Sequence, residues 1–312
     1  MAMKPLDQSS SSFSQSGGGQ ITGITILNNH KGKSNSQLSL GLQRLRRNHL
    51  AMAGLIGITF LFVLALLASW ISPYYPDTQN YDDILNAPSS RHFFGTDDLG
   101  RDTFSRVIWG GRQSLGTGFI AVLIGVIGGT ALGVISAFYG GTLDTVISRV
   151  VEIFLAFPSI LLLLSIVSVL GPGLGTAMLA IGLSWIPGYA RLVRGLVLGE
   201  KNQDYVTASR LIGAKNGRIM FRHILPNLLS QIVVYATIDL GNAIILTAGL
   251  SYIGLGAQAP SAEWGAMLGY SRSYINLAPW LAIFPGLAIL LAVLSINLIG
   301  DGLRDALDPT LK

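Results

Sequence analysis

Few residues of this chain are placed for bond-making chemistry. Its four His (His30, His49, His92 and His223) are scattered, and none falls in an H-E-x-x-H or other metal-ligand spacing. No Gly-x-Ser-x-Gly elbow occurs, and with zero Cys there is no thiolate nucleophile, thiolate metal site or disulfide framework. Gly32-Lys33-Ser34 ends like a phosphate-binding loop, but Leu27 stands where that motif needs its first Gly, and no strand precedes it. The carboxylates with an unusual setting lie elsewhere. Asp97, Asp98 and Asp102 surround Arg101, Glu263 precedes Trp264, and Asp239 stands alone in a long apolar stretch. Asp239 lies 13 residues beyond Pro226, about 20 Å along a helix. A carboxylate at that depth lines a polar translocation path or contacts a neighbouring helix or subunit.

The elements that hold these groups follow from composition. Of 312 residues, 50% are hydrophobic and 12% charged, against roughly 25% charged in soluble domains. With mean hydropathy at +0.53, this pattern excludes a water-soluble globule and defines an all-α polytopic membrane protein. The 38 Gly follow no period of three, so the chain is not collagen-like. Charge-free runs predict six membrane helices near 50–71, 114–138, 145–170, 174–195, 228–253 and 279–300, with a turn at Gly171-Pro172-Gly173. Flanking charges cap them: Arg149 and Glu152 at one helix end, Arg191 and Arg194 at another. Gly125, Gly129 and Gly133 repeat every four residues and permit close helix approach. Pro158, Pro187, Pro279 and Pro285 kink or begin helices.

Charge sets the orientation. Residues 1–49 carry six Lys/Arg against one Asp, and 191–227 carry seven against Glu200 and Asp204. Residues 72–112 carry four Arg against six Asp, and 254–278 only Arg272 and Glu263. Basic loops stay inside, so both termini and the 196–227 loop are expected in the cytoplasm. The net charge of +5 then reflects topology, and no nucleic-acid partner is expected. Residues 1–37, rich in Ser, Gly, Asn and Gln, read as a disordered cytoplasmic tail rather than a cleavable signal. Residues 38–49 read as a short amphipathic basic segment on the membrane surface, or as a basic stop before the first span. Residues 50–312 are expected to form a six-helix transmembrane domain.

The loop after the fourth span is not bland. Tyr205, Thr207, Ala208 and Ser209 lie on a helix expected to stop at Gly213, followed by Ala214. Leu211, Ile212 and Ile219 are apolar on an otherwise charged segment, suited to burial in a partner's groove. Pro226 is placed to open the fifth span. Near the other side of the membrane, Thr96, Asp97 and Asp98 resemble a helix cap, and Arg101 and Asp102 are spaced to pair at the surface, a contact contributing only ~0–1 kcal/mol. The same loop is equally suited to docking a protein, and Glu263-Trp264 to gating or to an interfacial aromatic belt.

Ala208-Ser209, Gly213 and Leu225-Pro226 resemble the EAA loop of binding-protein-dependent ABC importer permeases. Thr207 stands where that motif has Glu, and His223 where it has an apolar residue. Phe94–Asp102 with Ser105-Arg106, Gly254–Gln258 with Glu263–Met267, and Asn297–Pro309 resemble further signatures of the C-type subunits of the dipeptide/oligopeptide/nickel group. The resemblance implies the type I ABC importer transmembrane fold in a bacterial inner membrane. It implies a second homologous permease subunit, two ABC ATPase subunits that bind ATP and Mg, and an extracytoplasmic substrate-binding protein. The chain itself is then a transport subunit with no catalytic site and no cofactor. Dipeptides or short oligopeptides are the implied cargo, with glutathione-like peptides, or nickel and its chelates, as alternatives. From the residues alone, the other readings are a membrane-embedded enzyme, which would need clustered His, Asp or Glu or a Ser with a base at one depth, and an ion-coupled secondary carrier or channel. The latter would need ion-coupling groups, and Asp239 is the single candidate.

Overall fold

The computed structural model describes residues 45–307. The 1–37 tail, most of the 38–49 segment and Asp308-Pro309 lie outside them. The described residues fold into helices joined by loops and one isolated bridge between Thr96 and Asp102.

Helix α1 (His49–Leu66) starts where Asn48 accepts from Leu50 N and Ala51 N at 3.0 and 3.2 Å. A short α2 (Ala68–Ile71) continues it. Helix α3 runs from Thr103 to Tyr139, starting eleven residues before the predicted position 114. The charges that argued against helix there are satisfied locally. Arg112 donates to Ala65 O and Leu66 O at 2.6 and 2.8 Å, closing the carbonyl end of α1. Gly140 and Gly141, both at positive φ, then turn the chain into α4 (Gly141–Ala156).

The helix predicted over 145–170 is broken. α4 and α5 (Ser159–Leu170) meet at 90° across Phe157-Pro158. Pro158 lacks an N–H for the ladder and its ring crowds the preceding turn, which favours a break there, and the apolar run conceals it. Helix α6 (Leu174–Glu200) follows the predicted turn. Next come α7 (Asp204–Leu211), α8 (Asn216–Ile219), a π-helical turn (Met220–Ile224) and α9 (Leu225–Tyr252). Pro226 cannot donate to the preceding turn, and the widened π-turn sits directly before it. The helical run thus begins at Asn216, ahead of the Pro. Helix α10 (Trp264–Ser271) and α11 (Trp280–Leu307) complete the fold, with Pro187 and Pro285 inside α6 and α11.

Among the described residues four stretches are individually long and apolar enough to span a membrane: 49–66, 103–139, 216–252 and 280–307. The bent α4–α5 pair makes a fifth. The 27-residue α6 is long enough but diluted by Gly, Ser, Trp, Pro, Tyr and two Arg. Protein rather than lipid covers much of it, because it packs against α3, α5 and α9. The Gly stripe makes that packing possible. A Cβ at Gly129 would sit 2.2 Å from Tyr189 Cβ, and one at Gly133 2.7 Å from Ala190 O.

Candidate functional site

At one end of the bundle the 201–225 segment presents two opposite faces. Val206 on α7 is fully buried, packed among Phe138, Val193, Val197, Met220, Ile224 and Ile219. Ile219 is thus covered by its own chain and not available to a partner's groove as the sequence suggests. Ser209 is buried and donates to Tyr205 O at 2.7 Å. On the other face Thr207 and Ala208 are exposed, and Leu211 and Ile212 are 84% and 85% exposed. Gly213, at φ +80°, stops the helix; its N–H donates to Arg210 O at 3.0 Å, and Ala214 N donates to Ser209 O at 3.1 Å. Ala214 then tucks against the same buried cluster, while Pro226 lies exposed in the first turn of α9.

This segment is tied to the long helices by polar contacts as well. Tyr205 Oη donates to Glu200 Oε1 at 2.7 Å, and Asn227 Nδ2 donates to Tyr205 Oη at 3.1 Å and to Glu200 Oε1 at 3.3 Å. One triangle therefore joins α6, α7 and α9. Burial first and the Glu200 contact second push the Tyr205 hydroxyl above its usual range, so it remains a donor. Lys201 Nζ donates to the terminal carbonyls of α3. Beside this region Arg194 grips Asp144 with two bonds, Nε to Oδ1 at 2.6 Å and Nη2 to Oδ2 at 2.7 Å, fastening α4 to α6. The sequence reading placed Arg194 only as a helix-end charge.

At the opposite end the loops at 72–102 and 253–279 are clamped together. Arg101 and Asp102 do not pair with each other, and neither is exposed. Arg101 Nε donates to Asp97 Oδ2 at 2.7 Å, and Asp97 also accepts from the backbone N–H of Leu99 and Arg101. Asp102, not Thr96–Asp98, caps α3, accepting from Ser105 N at 2.8 Å and Ser105 Oγ at 2.7 Å. Thr96 instead donates to Asp83 O and accepts from Asn86 N. Arg101 and Asp102 are held by partners four and three residues away, whereas Thr96 is drawn off by a stretch of chain ten and thirteen residues earlier that folds back over it. His92, read as an isolated loop residue, is buried with Nδ1 2.9 Å from Asp102 Oδ1.

Arg106 is the hub between the two loops, donating to Pro76 O, Asp77 Oδ1, Pro260 O and Ser261 O. Glu263 is fully buried, accepts from Ser114 Oγ at 3.1 Å, and caps α10 through Ala266 N at 2.8 Å. Trp264, also buried, donates Nε1 to Val107 O at 2.8 Å. Asp98 accepts from Tyr270 and Tyr274. Burial and the Asp98 carboxylate hold the Tyr270 hydroxyl well above the usual tyrosine range. Asp97, Asp102 and Glu263 are thus held by internal bonds through both carboxylate oxygens, and Asp98 through Oδ2. Beside them lies a cavity of about 430 Å³, lined by Arg101, Thr103, Arg106, Tyr252, Tyr270 and Arg272.

Midway along α9, Asp239 is not unpartnered. Tyr189 Oη, from α6, donates to Asp239 Oδ2 at 2.6 Å, and Asn242 Nδ2 lies 3.4 Å from Oδ1. Spacing could not reveal Tyr189, which is 50 residues away.

The family of binding-protein-dependent transport system inner membrane components matches residues 129–312, and the N-terminal transmembrane domain of oligopeptide transport permease C matches residues 36–88. The chain is 49% identical over 271 residues to the dipeptide transport system permease protein DppC of Alkalihalophilus pseudofirmus, covering 86% of this chain and 89% of that one. It is 48% identical over 273 residues to the glutathione transport system permease protein GsiD of Escherichia coli, with 86% and 89% coverage. The fold is similar to that of the MetNI methionine ABC transporter in inward-facing conformations. The TM-score is 0.52 at 25% identity, over 65% of this chain and 96% of that one. The chain belongs to the family of binding-protein-dependent transport system inner membrane components. It is a multi-pass permease of the bacterial inner membrane with the transmembrane fold of an ABC importer.

Proposed function

We propose that this chain is one of two membrane subunits of an ATP-driven importer that carries dipeptides or short oligopeptides by alternating access. In this reading both termini and the 201–225 segment face the cytoplasm, and the clamped loops face outward. Two separate ATPase subunits bind ATP and Mg and close on the Ala208–Leu211–Ile212 face. An extracytoplasmic binding protein delivers cargo to the opposite end, where the clamped pair holds a firm docking platform. Asp239 lines the path between the two ends.

The observation that carries the reading is the two-faced α7. Its inner face is buried against three long helices, while Leu211 and Ile212 point away and are left exposed among the described residues. Apolar side chains so exposed beside a rigid polar triangle suit a lever that a partner covers and pushes. The cargo class rests on the DppC and GsiD relatives. Glutathione is itself a short peptide, so the second relative supports a glutathione-like cargo within the same architecture.

The test is mild-detergent purification of tagged chain from its own membrane, with mass spectrometry of what accompanies it. A second permease and one or two ATPases are expected, with uptake of labelled dipeptide after reconstitution. A homogeneous chain that transports without ATPases would instead establish a secondary carrier.

A further inference from the structure

Asp239 occupies an unusual position among the charges of this protein. It lies near the centre of α9, 14 residues from Leu225 and 13 from Tyr252, in a stretch apolar enough to span the membrane. It forms no ion pair among the described residues, although six Arg–carboxylate pairs hold other acidic groups. What it has is a firm mount. Tyr189 is buried, its Cβ packed against Gly129 and its ring edge beside Gly125, and its hydroxyl fixes Oδ2 at 2.6 Å. Asn242 approaches Oδ1 only loosely, at 3.4 Å. A carboxylate accepts about four hydrogen bonds, so this one retains acceptor capacity.

That capacity faces outward from the subunit. Tyr235, Asn242 and Gly249 are exposed and share the face of α9 that carries half-buried Asp239. The exposed faces of α1 differ in kind, presenting Leu55, Ile56, Phe60, Phe62 and Val63, as a lipid-facing helix does. A carboxylate cannot face hydrocarbon at that depth without a large penalty, so the α9 face adjoins water or protein. A mid-membrane carboxylate preorganised by two neutral donors and lacking a cation is a receptor for one.

We propose that Asp239, positioned by Tyr189, receives the protonated amino group of the cargo as it crosses the membrane. The proposal rests on the peptide-importer reading above and deepens it by assigning the ligand of this site. An ammonium brings the hydrogen-bond donors and positive charge the carboxylate lacks. One carboxylate alone on an otherwise uncharged face holds such a group weakly enough to release it, as transport requires.

The absence of Cys makes the test direct, because Asp239→Cys places a single thiol in this chain. The assembled importer, with its ATPases and binding protein, is reconstituted in vesicles, and uptake of labelled dialanine is measured. Asp239→Cys is expected to slow uptake about tenfold, equivalent to one lost charge-assisted contact. Reaction with anionic sulfonatoethyl methanethiosulfonate should restore uptake, the cationic trimethylammonioethyl reagent should abolish it, and saturating dialanine with binding protein should slow the labelling. Equal uptake with all adducts, or a thiol that water-soluble reagents never reach, overturns the proposal. Charge-dependent rescue without protection by dialanine also overturns it, since the missing cation then belongs to the partner subunit. If Asp239→Cys does not assemble, Asp239→Glu should retain uptake and Asp239→Asn lose it, and equal behaviour of the two contradicts the assignment. Wild-type importer that hydrolyses ATP but takes up no dialanine fails the cargo reading itself, a result distinct from all of these.

Discussion

Lys201 donates from Nζ to Phe138 O at 2.7 Å and to Ala137 O at 3.1 Å, so the residue that follows α6 caps the carbonyl end of α3. A cation at the negative end of a helix dipole is favourable, and here it also binds the root of the 201–225 segment, proposed above to meet the ATPase, to a second long helix. Movement of α7 is thereby shared by α3, α6 and α9 rather than absorbed in a loose loop. Lys201→Met removes both bonds while keeping most of the aliphatic stem. We expect a loss of about 1–2 kcal/mol of stability, visible in thermal unfolding in detergent, and a fall in peptide imported per ATP hydrolysed.

Gly213 is held at φ +80°, and the space around its missing Cβ is empty to 4 Å. The effect of Gly213→Val is therefore backbone strain alone, about 1–2 kcal/mol and local to the end of α7. Membrane insertion and abundance should match wild type while uptake falls severalfold. Unchanged uptake would remove the coupling role from this turn.

Gly129 tests the contact between α3 and α6. Its Cβ would lie 2.2 Å from Tyr189 Cβ and 2.8 Å from Ile186 O, whereas Gly116 on the same helix has nothing within 4 Å. Gly129→Ala should destabilise by about 1–3 kcal/mol, because two backbones must separate. Gly116→Ala should be neutral or slightly stabilising, through helix propensity. Comparing the unfolding temperatures of the two variants isolates the packing effect from the propensity effect.

Asp102 combines a helix cap with a buried contact to His92. Asp102→Ala should cost about 1–2 kcal/mol for the cap and more for the stranded imidazole. Because these loops are clamped through neighbouring Arg106 and face outward in the proposed orientation, protease nicking between residues 72 and 102 in right-side-out vesicles should increase. Proteolysis at the wild-type rate would show that the cap does not hold the loop.

Much of this architecture is legible in the sequence, for reasons that particular residues make clear. Charge-free runs locate helices because hydrocarbon excludes charge, and Gly171 marks a real reversal at φ +87°. The Gly125–Gly129–Gly133 repeat marks a real close contact. The break at Phe157-Pro158 is hidden because apolarity reports the solvent around a segment, not its direction. The early start of α3 is hidden because Arg106 and Arg112 read as loop charges, yet both guanidinia find carbonyls supplied by other segments. The outer clamp and the Tyr189–Asp239 bond were illegible for the same reason. Each joins residues whose proximity only the folded helices create. The two-faced α7 lies between these cases, since apolar Leu211 and Ile212 signal an interface that the chain alone leaves uncovered.

The central claim is that this uncovered face meets an ATPase subunit. In a chain without native Cys, Ile212→Cys provides a single thiol at an 85% exposed position. A short homobifunctional thiol reagent applied to native membranes should join it to an ATPase carrying one introduced surface thiol beside its nucleotide-bound cleft, with a yield that changes when ATP is trapped. A Cys at exposed Trp70, near the other end of the bundle, should give no such product. Failure of Ile212→Cys to capture the ATPase in any nucleotide state, in membranes that import peptide, would contradict the account.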